Sequence, residues 1–168
     1  MNKPAALRDY LCRCIPHLAT DPQQLKIFVE RGNIVGRSGE SLSFEYRFTL
    51  RLFFQDFTGS LDQLAVPVLA WLATNQPDVL QSKEKSAKCV RFEAEPLSND
   101  KTDIVIEIDL TESVIVTEDT DDAGHRRLTV THKGEVIHPG PYATGDYGQH
   151  TGAKIGAEWH LVQIDGHG

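Results

Sequence analysis

Residues 41–54 read SLSFEYRFTLRLFF, and in this stretch every second residue from Phe44 to Phe54 is apolar. Between Phe44 and Leu52 the intervening residues are charged or polar: Glu45, Arg47, Thr49 and Arg51. Because successive side chains of a strand point to opposite faces, this alternation predicts one long strand with an apolar face and a charged face. At about a dozen residues, the strand is roughly twice the usual length, so it needs a long partner and a large cover for its apolar face.

A second long strand is predicted by the alternation of apolar residues from Ile104 to Leu110. A further apolar run at residues 114–116 extends this strand beyond a bulge that we expect at residues 111–113. Residues 89–95 alternate in the same way and predict a shorter strand. The polar residues 98–101 then join it to the second long strand as a hairpin.

Two helices are predicted to cover the apolar face of these strands. Between Pro4 and Ile15, apolar residues recur at steps of three and four, which is the pattern of one apolar helical stripe. The second helix is expected to open with Ser60 as its N-cap and Gln63 as the capping-box partner. Pro67 should either kink this second helix or mark its start.

The remaining segments of the first two-thirds of the chain complete the sheet. Residues 25–30 predict a short strand, residues 31–33 a turn, and Ile34 the start of a return strand. After the second helix ends at residues 76–77, the polar segment to Lys88 predicts a short helix or a loop. The expected fold class is therefore α+β, with a mainly antiparallel sheet of long strands and two helices packed on one face.

Composition excludes several classes of protein. The chain has 168 residues and a formal net charge of −7, and its longest run of basic residues is Arg126-Arg127. This charge argues against a protein that grips nucleic acid, although an acidic wall would suit a surface past which DNA slides. No apolar run approaches the length needed to cross a bilayer, and the N-terminus lacks a signal-peptide core. We therefore expect no membrane association and synthesis in a cytoplasm.

The cysteines and glycines show no pattern of a reactive site. Cys12, Cys14 and Cys89 have no framework spacing, and the first two lack the two-residue spacer of thioredoxin-like sites, so reduced thiols are expected. The glycines between residues 32 and 39 do not have the spacing of a phosphate-binding loop.

Paired carboxylates raise the possibility of acid–base chemistry. Glu93 with Glu95 is one such pair, and Glu107 with Asp109 is another. Each pair faces the side of its predicted strand that is opposite the apolar residues. A solvated or interface-facing sheet surface explains both pairs more simply.

The histidines suggest an alternative function. Six of the seven lie after residue 124, which would suit a small metal-binding or hydrolytic enzyme. No two of them have helical HxxxH spacing, and none joins a CxxC motif. Histidines on surface strands and loops are the simpler interpretation, and no metal or cofactor is expected.

The chain is predicted to divide near the acidic residues 118–124. Residues 1–118 form the α+β core, and residues 119–168 form a C-terminal extension rich in glycine and histidine. Within the extension, residues 128–132 and 135–138 predict a hairpin. A long loop over residues 139–156 follows it, with a last short strand at residues 159–164.

Several blocks of the first 118 residues resemble the tail completion protein R family of temperate contractile-tailed phages, and they occur in the same order. The blocks are KPAALR at residues 3–8, LSFEYRFTL at 42–50, DFTG at 56–59, VPVLAWL at 66–72, QPD at 76–78, RFEAE at 91–95 and DIVIEI at 103–108, leading to LTE at 110–112. None of them is a catalytic motif.

The resemblance implies a structural protein of the virion, not an enzyme. Such proteins finish the tail so that a filled head can join it, and they are similar in purpose to tail terminators, which are small α/β folds that form rings, often six-fold, on the tail tube. The implied partners are further copies in a ring, possibly a hexamer, the tail tube and sheath proteins, and the head-completion or connector proteins. DNA would pass through the lumen without sequence-specific binding.

A ring needs contacts between its subunits, and two regions of the chain suit them. The charged face of the first long strand is one, with plain solvation as its alternative; the other is the glycine-rich stretch from Pro139 to Gly156, which could act as an arm that orders on assembly. The interface candidates in these two regions are Glu45, Arg47, Arg51, Tyr142 and Tyr147, and Trp159 of the predicted last strand is a sixth.

Overall fold

The computed structural model describes residues 1–36, 39, 41–97, 100–120 and 124–133. The elements within these residues are α1 (Lys3–Cys14), α2 (Pro16–Thr20), β1 (Leu25–Gly36), β2 (Phe44–Phe57), α3 (Asp62–Asn75), α4 (Pro77–Gln81), α5 (Lys83–Cys89), β3 (Val90–Pro96), β4 (Thr102–Thr120) and β5 (Arg126–His132). A short 3-10 turn at Pro22–Gln24 connects α2 to β1.

The strands form one sheet in the order β1-β2-β4-β3, and β5 also pairs with β4. Every pairing between the described strands is antiparallel. The long central pair is β2 with β4, in which Leu50 lies opposite Ile108 and Leu52 opposite Ile106. The predicted α+β class with a mainly antiparallel sheet of long strands is confirmed. The two predicted helices correspond to the long ones, α1 and α3, and α2 was missed. The segment up to Lys88, predicted as a short helix or a loop, contains α4 and α5.

One edge of β4 is shared by two strands. Val114 pairs with Phe44 of β2 and also with His132 of β5, so β5 lies on the edge of β4 opposite β2. The same edge carries β3 opposite residues 102–108. Residues 109–113 of β4 therefore lie between the two ladders, and we call this stretch the edge gap.

The core lies between the apolar face of the sheet and the helices. Leu50, Ile108, Leu7 and Leu64 have no exposed surface. The other core residues of the sheet and of α1 and α3 are Leu11, Cys14, Leu25, Phe48, Leu52, Phe54, Phe57, Val68, Trp71, Leu72, Ile104, Ile106 and Leu110. Burial of one face along both central strands explains why the sequence alternates so regularly, because a one-residue slip would expose the whole apolar set.

The structure corrects two predictions about strand breaks. Residues 31–33 are not a turn, because β1 continues through them with a bulge between Val29 and Gly32. The predicted bulge at residues 111–113 is also wrong, because the register of β2 with β4 continues without a shift from Phe44 to Phe54. The irregularity lies instead in β2, between Phe54 and Phe57. There Asp56 has a positive φ of 52° and its N–H donates to Asp103 Oδ1 at 2.9 Å.

The start of α3 also differs from the prediction. The helix begins at Asp62, its N-cap is Leu61, and no side chain caps it. Ser60 contributes its backbone oxygen, which accepts the N–H of Gln63 at 3.1 Å, so the predicted capping box does not form. Pro67 lies inside α3 and therefore does not mark its start.

The first half of the predicted C-terminal hairpin pairs with an upstream strand. Residues 128–132 belong to β5, whose partner is β4 from Val114 to Thr120. The second half, the long loop, the last strand, Tyr142, Tyr147 and Trp159 lie outside the described residues, and the boundary at residue 118 stays a prediction. Within the described ranges, no helix is both long enough and apolar enough to span a membrane.

Candidate functional site

The most distinctive surface of the molecule is the polar face of the sheet, opposite the long helices α1 and α3. In β2 this face carries Glu45, Arg47, Thr49 and Arg51, and their partners across the ladder in β4 are Ser113, Thr111, Asp109 and Glu107. The three charged residues that the sequence singled out in β2 therefore lie on one surface, as expected.

Two of these residues pair with each other, and the third pairs with the edge strand. Arg47 Nε lies 2.6 Å from Glu45 Oε1, with the arginine side chain 61% exposed. Arg51 Nη1 lies 3.0 Å from Glu30 Oε1 of β1. Neutralisation of each charge by a neighbour makes this face suitable for burial against another protein, because unpaired charges are costly to desolvate.

A second network on this face centres on Arg91 of β3, which the sequence did not single out. Its guanidinium donates to both carboxylate oxygens of Asp109, at 2.7 and 3.0 Å, and approaches Glu107 Oε2 at 3.4 Å. Asp109 also accepts the hydroxyl of Thr49 at 2.8 Å. The hydrogen bond from Arg91 lowers the pKa of Asp109, and the Thr49 hydroxyl adds to this effect against the opposing effect of burial.

A pocket of about 600 Å³ opens on the same face. Strands β1, β2 and β4 line it together with α4 and α5. Its charged and polar lining includes both signs: Arg31, Arg47, Lys88, Asp78, Glu84 and Asp109. This mixture does not favour a purely anionic or purely cationic ligand.

The edge gap of β4 is closed by the side chain of Gln76, which joins α3 to α4. Gln76 is 1% exposed. Its Oε1 accepts the N–H of Thr111 at 3.2 Å and the Nζ of Lys3 at 2.6 Å. Its Nε2 donates to Thr111 Oγ1 at 2.9 Å and to Asp78 Oδ1 at 2.7 Å. One amide therefore replaces the strand that the gap lacks and connects the sheet to both helical segments.

Glu112 is a buried carboxylate in the apolar register of β4, with 2% of its surface exposed. It accepts the backbone N–H of Asn2 at 2.8 Å and that of Lys3 at 3.0 Å, and His132 Nδ1 of β5 lies 2.5 Å from it. Burial works against ionisation, but the N–H groups of Lys3 and Asn2 outweigh it and lower the pKa of Glu112. The carboxylate thus anchors the start of α1 and the end of β5 to the sheet.

Among the strands that the structure describes, the two at the lateral edges of the sheet each have one unpaired edge and carry exposed apolar side chains. In the described part of the chain, β1 pairs only with β2, and β3 only with β4. Six apolar side chains on the edge strands β1, β3 and β5 are between 40 and 69% exposed: Phe28, Val29, Ile34, Phe92, Leu128 and Val130. Unpaired strand edges of this kind are ready templates for pairing with another chain.

Nothing in the described ranges resembles a catalytic or metal centre. No group of three or more histidine, cysteine, aspartate or glutamate residues there is arranged to hold a metal ion. Burial raises the pKa of Cys12, Cys14 and Cys89, which disfavours reactive thiolates. Most of the histidines behind the metal-binding alternative lie beyond the described residues, so that alternative stays a hypothesis.

Comparisons with known proteins agree with this picture of a structural protein. A family model described as P2 phage tail completion protein R (GpR) matches residues 1–136. The tail completion protein R of Escherichia phage P2 is 44% identical over 118 residues, which cover 70% of this chain and 76% of that protein. No solved structure matches the chain, so the expected likeness to tail terminator folds stays a prediction.

The family match spans all five described strands and every helix, from α1 to the end of β5. It also includes the residues that join these elements, Gln76 and Glu112. The chain therefore belongs to the P2 phage tail completion protein R family.

Proposed function

We propose that this protein caps the head-proximal end of the phage tail tube as a closed ring and makes the tail competent to join a head. The observation that carries the proposal is the 44% identity to tail completion protein R of phage P2, in a segment of 118 residues. The family is one of structural phage tail proteins, so the chain is a tail component of the virion and not an enzyme.

The architecture suits a rigid building block. Two long strands, β2 and β4, share a continuous ladder from Phe44 to Phe54, and the long helices α1 and α3 pack on their apolar face. The other face is available for a neighbour, with its charges already paired in Glu45–Arg47 and Arg51–Glu30. A subunit that presents such a face and two free edges can make head-to-tail contacts, which close into a ring when the rotation between copies allows it.

The charge of the chain supports passage of DNA through such a ring. The formal net charge is −7. A lumen wall with net negative charge repels the phosphates of the duplex at distances of about a Debye length, roughly 8 Å at physiological ionic strength. Repulsion of this kind keeps the DNA from adhering and does not depend on its sequence.

Electron microscopy of tails assembled without this protein tests the proposal. We expect overlong or headless tails, because an uncapped tube keeps its growing surface and offers no surface for the head. Supplying the full chain in trans should restore normal particles. Tails of normal length that carry heads in the absence of the protein would rule the proposal out.

A further inference from the structure

We propose that, in the assembled ring, β1 of one copy pairs with β3 of the next, so that the sheet continues from subunit to subunit. The occupant of each free edge is a second copy of this chain. The inference rests on the ring of the proposed function and adds to it the contact surface and its register.

Strand direction permits this pairing without a change of geometry. The four strands in the order β1-β2-β4-β3 are antiparallel at every step, so β1 and β3 run in opposite directions at the two edges of one subunit. When copies follow one another head to tail, β1 of one copy meets β3 of the next as an antiparallel pair. The polar and apolar faces of the sheet then continue on the same sides.

The polar face supplies complementary charges at matching positions. Lys26 pairs with Phe53, Phe53 with Val105, and Val105 with Glu93, so Lys26 and Glu93 lie at the same level on opposite edges and on the same face. If the sheet continues into the next copy without a shift along the strand direction, Lys26 of one copy lies beside Glu93 of its neighbour. Opposite charges directly across an antiparallel pair are stabilising.

Among the described residues, neither of these charges has an ion-pair partner. Lys26 donates to Gln55 at 3.1 Å and lies 5.7 Å from the ring of Phe53, but no carboxylate pairs with it in the described part of the chain. Over the same residues Glu93 has no ion-pair partner, although most other charges of this face are paired. The two unpaired charges thus lie at the places where the contact needs them.

The opposite face supplies apolar partners at the adjacent level. Ile27 pairs with Leu52, Leu52 with Ile106, and Ile106 with Phe92, so the same continuation sets Ile27 beside the neighbour's Phe92. Phe92 is 59% exposed even though its ladder partner Ile106 is 2% exposed. Contact with Ile27 and Val29 of the next copy would cover this ring and extend the core across the interface.

Two structural features limit the length of the pairing region. The carbonyl of Leu25 already accepts Nη1 of Arg8 at 2.5 Å, so the free part of the β1 edge begins at Lys26. Pro96, the last residue of β3, has no N–H to donate. A contact of about four residue pairs, from Lys26 with Glu93 to Val29 with Val90, fits between these two ends.

Zero-length carbodiimide coupling tests the contact, because it joins an amine to a carboxylate only where the two touch. We would treat an equal mixture of isotopically light and heavy full-length protein over a range of concentrations, and would also treat intact tails. The expected product is a Lys26–Glu93 cross-link that joins a light peptide to a heavy one. Within one subunit three strand spacings, about 14 Å, separate the two backbones.

Lys85 and Asp78 provide the internal control, since they lie 3.0 Å apart within one chain and should couple within a single isotope label. Cross-linked oligomers joined only at other residues would overturn the inference. So would the absence of the Lys26–Glu93 product both in concentrated protein and in tails that yield the Lys85–Asp78 control product.

Charge reversal separates this inference from the proposed function. Lys26→Glu and Glu93→Lys should each weaken subunit association by about threefold to tenfold per interface, as measured by sedimentation or by recovery of completed tails. An equal mixture of the two variants should restore it, because each interface of an alternating ring again joins opposite charges.

If tails require the protein but the single variants act as wild type, the pairing is wrong and the function stands. If the cross-link forms but tails complete without the protein, the function is wrong and the pairing stands.

Discussion

The side-chain amide of Gln76 makes two hydrogen bonds to Thr111, one to its N–H at 3.2 Å and one to its hydroxyl at 2.9 Å. These bonds take the place of a neighbouring strand at the edge gap of β4, where neither β3 nor β5 reaches. A buried backbone N–H without a partner is costly. On the β2 side this part of β4 is paired by the ladder, and on the other side the Thr111 N–H is satisfied by the Gln76 side chain.

Replacement of Gln76 is therefore expected to destabilise the protein more than the loss of one small polar side chain from the surface would. Gln76→Ala leaves the Thr111 N–H without the side-chain oxygen that accepts it and removes one hydrogen bond of the Lys3 ammonium. We expect a loss of about 2–3 kcal/mol in the free energy of unfolding. Urea denaturation measures this loss. The exposed Gln81 offers a matched control, and Gln81→Ala should change stability by less than about 0.5 kcal/mol. Equal effects of the two variants would show that the edge gap does not need the amide.

Glu112 should make stability depend on pH in the acidic range. Its pKa in the folded state lies below the ordinary value of 4.5, so its contribution is present above about pH 4.5 and is lost as pH falls through the folded pKa. Glu112→Gln removes charge-assisted hydrogen bonds to the start of α1, and we expect it to cost about 1.5–3 kcal/mol at pH 7. In urea titrations at several pH values, the difference between wild type and variant should shrink towards pH 3.

The exposed Glu84 supplies the control for that experiment. Glu84→Gln removes one negative charge from the surface of α5 and should leave the pH profile of unfolding nearly unchanged. A Glu112→Gln variant whose stability deficit persists undiminished at pH 3 would show that shape, and not ionisation, explains the role of Glu112.

The long strands could be predicted because burial of one face forces alternation over many residues. Strand pairing over a long distance also explains why the turn predicted at residues 31–33 is wrong. Arg31, Gly32 and Asn33 have the composition of a turn, but the length of β2 provides a partner that carries the chain through them with a one-residue bulge. Local composition was outweighed by a pairing that only the folded sheet reveals.

The buried polar residues Glu112 and Gln76 were harder to predict from the sequence. Glu112 breaks the apolar series of β4, and such a break predicts a bulge. In the structure the strand stays regular, and the N–H groups of Asn2 and Lys3 donate to the carboxylate. A charged residue in an apolar register is the signal that could have identified it. Gln76 gave no such signal, since its partner Thr111 lies 35 positions away along the chain.

Arg91 tests how much the surface network of the polar face contributes. The Arg91 side chain is 43% exposed and that of Asp109 47%, so solvent screens their interaction. A double-mutant cycle with Arg91→Ala and Asp109→Ala should give a coupling energy of about 0.5–1 kcal/mol that decreases in high salt. A coupling above about 2 kcal/mol would indicate that the network is effectively buried, as in a subunit contact.

Removal of the C-terminal extension should separate folding from assembly. Every buried apolar residue of the described core lies between Leu7 and Val114, and the matched family model ends at residue 136. We therefore expect a chain ending at His138 to unfold cooperatively with near wild-type stability, yet to fail in the recovery of completed tails. A shorter chain that ends at Thr120 loses β5 and the contact of His132 with Glu112, and should be clearly less stable. Loss of cooperative unfolding in the chain ending at His138 would instead make the extension part of the core, and normal tail completion by that chain would remove its proposed role as an assembly arm.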